Sequence, residues 1–303
     1  MPPRLDAVAS ISRTSGTDAS GDALRNPQFQ EEYAQVLATK VAAHWKRFPS
    51  PVGSNSHVVP SNDEQLECDS LLIAFRKLRE GVLSSRREDA FAIHVYESSF
   101  LLSVLFRSPA HATASLAHLT HVLYTKQPRT ATVTDLVATA GMLHTLLHLE
   151  HPAEFMNRLH HTSPFLSPET KLWLSRLSRY KRTDNFAAAR LHMSPDRLPA
   201  VLTSDATVEG QLILYGGRTD VGKCAVQRLI SLIAADMGTR AWNVLRAAYR
   251  EAVVQESADW LAQNLALDRT ELDVWVKDKE QKGELREAET NGRVRWTFVK
   301  ART

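Results

Sequence analysis

Two cysteines, Cys68 and Cys224, are all that this 303-residue sequence contains, and they lie far apart. That count excludes a disulfide framework and a zinc ribbon, and it points to a reducing compartment. No apolar run approaches the roughly 18 residues needed to cross a bilayer, so no membrane association is expected. Residues 1–21 lack the apolar segment of a signal peptide, and Asp6, Asp18 and Asp22 are acids that a mitochondrial presequence avoids. Charge of one sign is lacking too. The formal net charge is only +3, so no global field marks a nucleic-acid binder and any basic surface has to be local. Catalytic signatures are missing: there is no G-x-S-x-G elbow, and neither cysteine has a neighbour that suggests activation. These absences predict a soluble intracellular protein that is not an enzyme and carries neither cofactor nor metal.

What is there is an ordinary globular composition, 43% hydrophobic and 23% charged, long enough for one large domain or two smaller ones. Residues 1–27 have few large apolar side chains and read as a disordered tail. Residues 28–62 read as a helix plus a linker. Tyr33, Val36, Leu37 and Val41 share one helical face, and Pro49, Pro51, Gly53 and Pro60 break the chain after it.

From residue 63 the pattern becomes a series of amphipathic helices over 64–82, 87–106, 110–124, 133–149 and 153–160, with Pro109, Pro128 and Pro152 between them. Each is too short and one-sided to fold alone, which predicts stacked antiparallel helix pairs, TPR-like, over 63–239. Residues 211–215 are either a strand or part of a buried helix.

Residues 240–303 read as a separate module. One helix carries Trp242, Leu245 and Tyr249 and ends near Ala252. A second begins near Ser257 and carries Trp260, Leu261 and Leu265. A third, capped by Thr270 and Asp273, runs through Leu272, Trp275 and Val276 to Lys282, and Gly283 fits its C-terminal cap. Asn291-Gly292 is the preferred centre of a type I′ hairpin, and Val294, Trp296 and Phe298 alternate with polar residues as a half-buried strand should. Three helices followed by a small β-hairpin is a winged helix. Its expected core is Trp260, Leu261, Leu265, Leu272, Val276 and Trp296.

The segments Trp260-Leu261-Ala262, 265–268, 271–276, 282–285 and 291–294 together resemble the end of a PCI domain. That module is shared by the proteasome lid, the signalosome and a translation initiation factor complex. Glu280 stands where that pattern has an apolar residue. Residues 78–124 resemble the helical part of the GANP-type mRNA-export branch of the same superfamily. The match rests on the basic helix 76–87, on Val95-Tyr96-Glu97 and on Leu123-Tyr124. Leu116, His118 and Leu119 replace the polar residues typical of its last helix, and Arg107-Ser108-Pro109 replaces a Gly-Asp type of turn. The small non-ATPase subunit of the proteasome lid has a related layout. The resemblance implies a scaffold in a complex for mRNA processing or export, nuclear or else cytoplasmic. Its partners would be another PCI-domain protein, a small acidic protein and RNA. The alternative it implies is a structural subunit of the proteasome lid.

Three further patterns have chemical content. Residues 217–223 have the phosphate-loop spacing of two glycines and a lysine, but Cys224 stands where Ser or Thr should ligate magnesium. A glycine-rich connection between helices is therefore the expectation. His118 with His121, and His144 with His148 and His151, have helical spacings a metal could use, yet no acid or cysteine accompanies them. Partly buried or surface histidines are expected. Basic clusters are the better candidates. Arg176, Arg179, Lys181 and Arg182 lie in a segment where Trp173, Tyr180 and Phe186 are interleaved, which suits phosphate contact with base stacking unless the aromatics face the core. Lys277, Lys279, Lys282, Arg293, Arg295 and Lys300 offer backbone contact on the winged helix, diluted by Asp278, Glu280 and Glu284.

Overall fold

A computed structural model describes residues 23–49, 61–126, 131–148, 151–203, 213–265, 267, 269–290 and 293–299. They are mostly helical, with one small antiparallel sheet late in the chain. Two compact units divide them. The first comprises Met1–His144, Leu159–Ser167 and Val201–Leu229; the second comprises Thr145–Arg158, Pro168–Ala200 and Ile230–Thr303. The boundary expected at residue 240 falls inside one continuous helix.

In the first unit, α1 (Pro27–Arg47), α2 (Asn62–Ser84), α3 (Ala90–Leu105) and α4 (Pro109–His118) pack in chain order, each on the next. Three of these helices start where a side chain satisfies an orphan amide: Asn26 for Gln28, Ser61 for Glu64 and Asp89 for Ala92. The spacing of Leu71, Leu72, Phe75, Leu78 and Val82 puts all five on the buried stripe of α2. Each such side chain contributes about 1.5–3 kcal/mol on burial. α3 is buried around nearly its whole circumference from Val95 to Val104, which explains why its pattern is apolar with small serines rather than one-sided. Beyond α4 a π turn, Leu119–Leu123, leads into Tyr124–Lys126.

Two expectations change here. Residues 23–25 are not part of a tail but form a 3-10 turn whose Leu24 is fully buried. Gly81 permits this approach, since a Cβ there would stand 2.7 Å from the Leu24 carbonyl oxygen. Residues 213–215, expected as strand or buried helix, form a single 3-10 turn. It is pinned by the Trp45 indole N–H, which donates to the Tyr215 carbonyl at 3.0 Å. Gly216 follows with φ +64°, where a Cβ would lie 2.7 Å from Ala42 Cα, so only glycine fits.

α5 (Ala131–His148) and α6 (Pro152–Thr162) follow in the chain, then α7 (Pro168–Arg182), α8 (Phe186–His192) and α9 (Val221–Ala248). The second unit ends in β1 (Glu251–Val253), α10 (Val254–Leu265), α11 (Arg269–Gln281), β2 (Leu285–Thr290) and β3 (Arg293–Phe298). The strand order is β1-β3-β2, both pairs antiparallel, with Ala252 opposite Trp296 and Leu285 opposite Phe298. The helix expected to reach Ala252 therefore stops at Ala248, and a strand too short to show alternation turns the expected hairpin into a three-stranded sheet. α11 ends at Gly283, φ +68°, where the Glu284 amide donates to the Lys279 carbonyl at 2.9 Å, the cap the sequence indicates. α11 begins at Arg269, so Thr270, expected as its cap, stands inside the first turn, while the Asn291-Gly292 turn lies outside the described residues.

The core of this end of the chain gathers on Trp242. Its ring meets Trp275 edge-on at 4.7 Å and Phe298 at 5.4 Å, and its indole N–H donates to Glu284 Oε2 at 3.0 Å. Leu261, Leu265, Leu272, Val276 and Trp296 are buried in the same cluster, as expected. Trp260 is not: it is 39% exposed. Ala258, Leu261, Ala262 and Leu265 form the buried stripe of α10, and residue 260 is a quarter-turn off it. Tyr249, expected beside Trp242 and Leu245, is exposed as well and packs edge-on against Trp260 at 5.6 Å.

Candidate nucleic-acid interface and other polar clusters

α7 separates its two sides sharply. Thr170, Trp173, Leu174 and Leu177 face inward, while Lys171, Leu172, Arg176, Arg179 and Arg182 are exposed along the opposite side. Lys181 continues the inward row at spacing four from Leu177, and its ammonium is committed there. It donates to the Leu146 carbonyl at 2.8 Å and pairs with Asp236 at 3.0 Å, so it is a structural cation rather than a surface one. The interleaved aromatics also turn inward. The Trp173 indole donates to the His192 carbonyl at 3.1 Å, His192 Nε2 lies 2.9 Å from the Trp173 carbonyl, and the two rings stack. Tyr180 contacts the edge of the same His192 ring. Trp173 is buried and so closed to base stacking, Tyr180 is half-buried, and Phe186 packs half-buried against the C-terminal cluster. What survives is phosphate contact by Arg176, Arg179 and Arg182, which have no ion-pair partner among the described residues.

The basic set of the C-terminal module is largely neutralised. Arg295 pairs with Glu251 at 3.3 Å and Arg293 with Glu256 at 3.7 Å. Neither pairing has a local spacing in the sequence, because β1 carries Glu251 alongside β3 and Glu256 stands on α10. Lys282 pairs with Asp278 at 2.8 Å. Lys279 pairs with Glu284 at 3.0 Å and lies over the Trp275 ring. Glu284 also meets Arg246, at 3.4 Å. Burial works against its charge, but the Lys279 ammonium and the Trp242 indole N–H hold its carboxyl below the usual range. Lys277 is exposed. Lys300 lies outside the described residues. Of the two basic sets, that of α7 has more of its described charges outside ion pairs.

Among the other clusters, His44 stands between Cys68, with Nε2 to Sγ 3.8 Å, and Glu67, with Nδ1 to Oε1 3.4 Å. The order Cys–His–Glu has the form of an activated thiol, and no sequence spacing signals it. Burial, aided by the charges of Glu64, Asp69 and Glu67, pushes the Cys68 thiol up to about 12, the opposite direction from an activated cysteine. The glycine-rich segment before α9 is a connection, as expected. Arg218 pairs with Asp220 and lies over the Trp45 ring, and no strand precedes the segment among the described residues. An open cleft of about 340 Å³ beside it is lined by Ala42, Trp45, Lys46, Pro49, Gly216, Gly217 and Arg218.

Of the histidines at helical spacing, His118 lies against the Tyr96 ring at 4.6 Å and His144 Nε2 bonds to Thr113 Oγ1 at 2.9 Å, while His121, His148 and His151 are exposed. Among the described residues, no three His, Cys, Asp or Glu side chains are grouped to hold a metal, and no helix is long and apolar enough to cross a membrane. Neither a protein-family model nor a curated protein matches this chain.

Proposed function

We propose that the chain is a non-catalytic scaffold subunit of PCI type, stacked TPR-like helix pairs leading into a winged helix, that serves mRNA processing or export in the nucleus. The observation that carries this reading is the order of elements in the second unit. The end of α9, then β1, α10, α11, β2 and β3, with β3 central in the sheet, runs helix–strand–helix–helix–strand–strand, an order that supports the winged-helix reading. Since that fold serves many tasks, the task itself rests on the resemblance at 254–296 and 78–124.

Within this reading, the outer edge of β1 is where another PCI-domain protein adds its own strand, flanked by the exposed Tyr249 and Trp260. The opposite edge, β2, is guarded by Arg286, Glu287 and Glu289, which discourage such pairing. RNA is held by its phosphates on Arg176, Arg179 and Arg182 of α7. A small acidic protein completes the set of partners.

One observation favours a second reading, a structural subunit of the proteasome lid without RNA: the arginines of β3 are already paired with Glu251 and Glu256. Affinity purification of the tagged protein from its own cells, with and without RNase, separates the two. Recovery of a second PCI protein with export or splicing factors is expected. Stoichiometric lid subunits, unaffected by RNase, would replace the first reading with the second.

A further inference from the structure

Residues 171–182, the greater part of α7, hold five cations and no acid. Lys181 is turned inward onto Leu146 and Asp236. Arg176, Arg179 and Arg182 are exposed and have no ion-pair partner among the described residues. The acid that follows, Asp184, is taken by Arg240 at 2.5 Å. What remains outward is a row of guanidinium groups at spacing three, with Ser175 and Ser178 half-buried beside it.

Spacing three rises about 4.5 Å per step, so the row extends over about 9 Å of the helix axis. A strand in a double helix carries roughly one charge per 3.4 Å of axis and presents about three phosphates over that length. A single strand offers as many, but proteins that hold single strands do so in a groove lined with aromatic side chains on which the bases stack. The outward side of α7 has neither. A helix is convex there, and the aromatics of the segment are elsewhere. Trp173 is buried, Tyr180 lies half-buried against His192, and Phe186 is half-buried against the C-terminal cluster. Stacking is worth about 1–3 kcal/mol per base, and without it the entropy of ordering a flexible strand is not offset. A duplex keeps its bases stacked within itself and presents its phosphates already ordered.

We propose that the outward side of α7 binds double-stranded RNA by its phosphates, in preference to single strands and without reading sequence. The choice of RNA rests on the proposed role in mRNA processing or export. The choice of duplex rests on the row Arg176, Arg179 and Arg182 and on the lack of an aromatic within it. Guanidinium groups suit phosphate oxygens as bidentate donors. Contacts of this kind fix position on a duplex but carry no sequence information.

The test is fluorescence anisotropy of the full chain with a short labelled RNA of mixed sequence, alone and annealed to its complement, and with the matching DNA duplex. Near 0.1 M salt the RNA duplex is expected to bind about fourfold more tightly than the single strand, from its denser charge alone. A second duplex of unrelated sequence should bind equally. Replacing Arg176, Arg179 and Arg182 by Gln should lower the slope of log affinity against log salt for the duplex by about 2–3. Circular dichroism checks that this variant is folded; if it is not, Arg179→Glu takes its place and should weaken duplex binding. A single strand bound as tightly as the duplex overturns the inference and leaves RNA binding in place. A DNA duplex bound as tightly as the RNA duplex overturns the assignment to RNA. Duplex affinity unchanged in the variants removes the site from α7, and binding of neither RNA form overturns the RNA reading as a whole.

Discussion

Tyr124 donates its hydroxyl hydrogen to the Glu97 carboxylate at 2.7 Å, and both residues are buried. Burial first, and then the charge of Glu97, hold that hydroxyl protonated far above the ordinary tyrosine range. The bond joins the end of the π turn to α3, which is buried around nearly its whole circumference. A π turn widens the helix by one residue, which rotates everything after it and here brings Tyr124 round to Glu97. These two residues also belong to the two short segments on which the GANP-type resemblance rests.

Removing the donor should therefore cost more than an ordinary surface change. Tyr124→Phe is expected to lower stability by about 2–3 kcal/mol, the range for a buried hydrogen bond to a charged group. Urea unfolding of Tyr124→Phe, Glu97→Gln and the double variant measures it. Strict additivity in that cycle would mean that the pair is not coupled.

Trp242 and Trp260 should respond oppositely to truncation. Trp242→Ala empties the centre of the C-terminal cluster and should cost about 3–5 kcal/mol. Trp260→Ala, at a half-open surface, should cost less than about 1 kcal/mol. Thermal unfolding followed by circular dichroism compares them. A larger loss for Trp260 would show that the second unit packs differently in solution.

Acid should weaken the fold through its buried histidines. His94 has both ring nitrogens enclosed without partners, and burial lowers its pKa to about 4. Because the unfolded chain binds this proton near pH 6.5 and the folded chain does not, the contribution is whole above pH 6.5. It is lost progressively as the pH falls from 6.5 towards 4. The loss should be on the order of 2–3 kcal/mol, and His94→Leu should flatten that limb of the stability profile. An identical slope in the variant would assign the acid sensitivity to other groups.

Binding to single-stranded RNA, if α7 carries it, should depend on salt through three charges. Replacing Arg176, Arg179 and Arg182 by Gln is expected to reduce the slope of log affinity against log salt by about 2. Neutralising Arg293 and Arg295, which already face Glu256 and Glu251, should change it much less. Fluorescence anisotropy with an oligouridine at several salt concentrations decides; equal effects of the two sets would return the interface to β3.

The helices, their caps and most of the buried stripes were legible because they are local. Asn26, Ser61, Asp89 and Gly283 act within a few residues of themselves, and a spacing of three or four marks a buried side whatever it packs on. Lys181 was legible in principle by the same spacing, since it continues the row of Leu174 and Leu177, but its charge suggested the surface. Trp260 was misplaced for the converse reason: its size suggested the core, although its position on α10 is off the buried stripe. β1 left no signal, because three residues cannot show alternation and its hydrogen bonds go to a strand some forty residues later.

The sequence by itself determined that this chain is mostly helical, where most helices begin and end, and that a strand-forming segment closes the second unit. Only the tertiary structure decided which charges are free. Whether an arginine is a ligand site or half of an ion pair depends on what another element brings within about 4 Å of it. Glu251 reaches Arg295 through β1, and Glu284 reaches Lys279 and Trp242 across a turn. Ion pairing across elements has no sequence period, so it became readable only once the chain had folded.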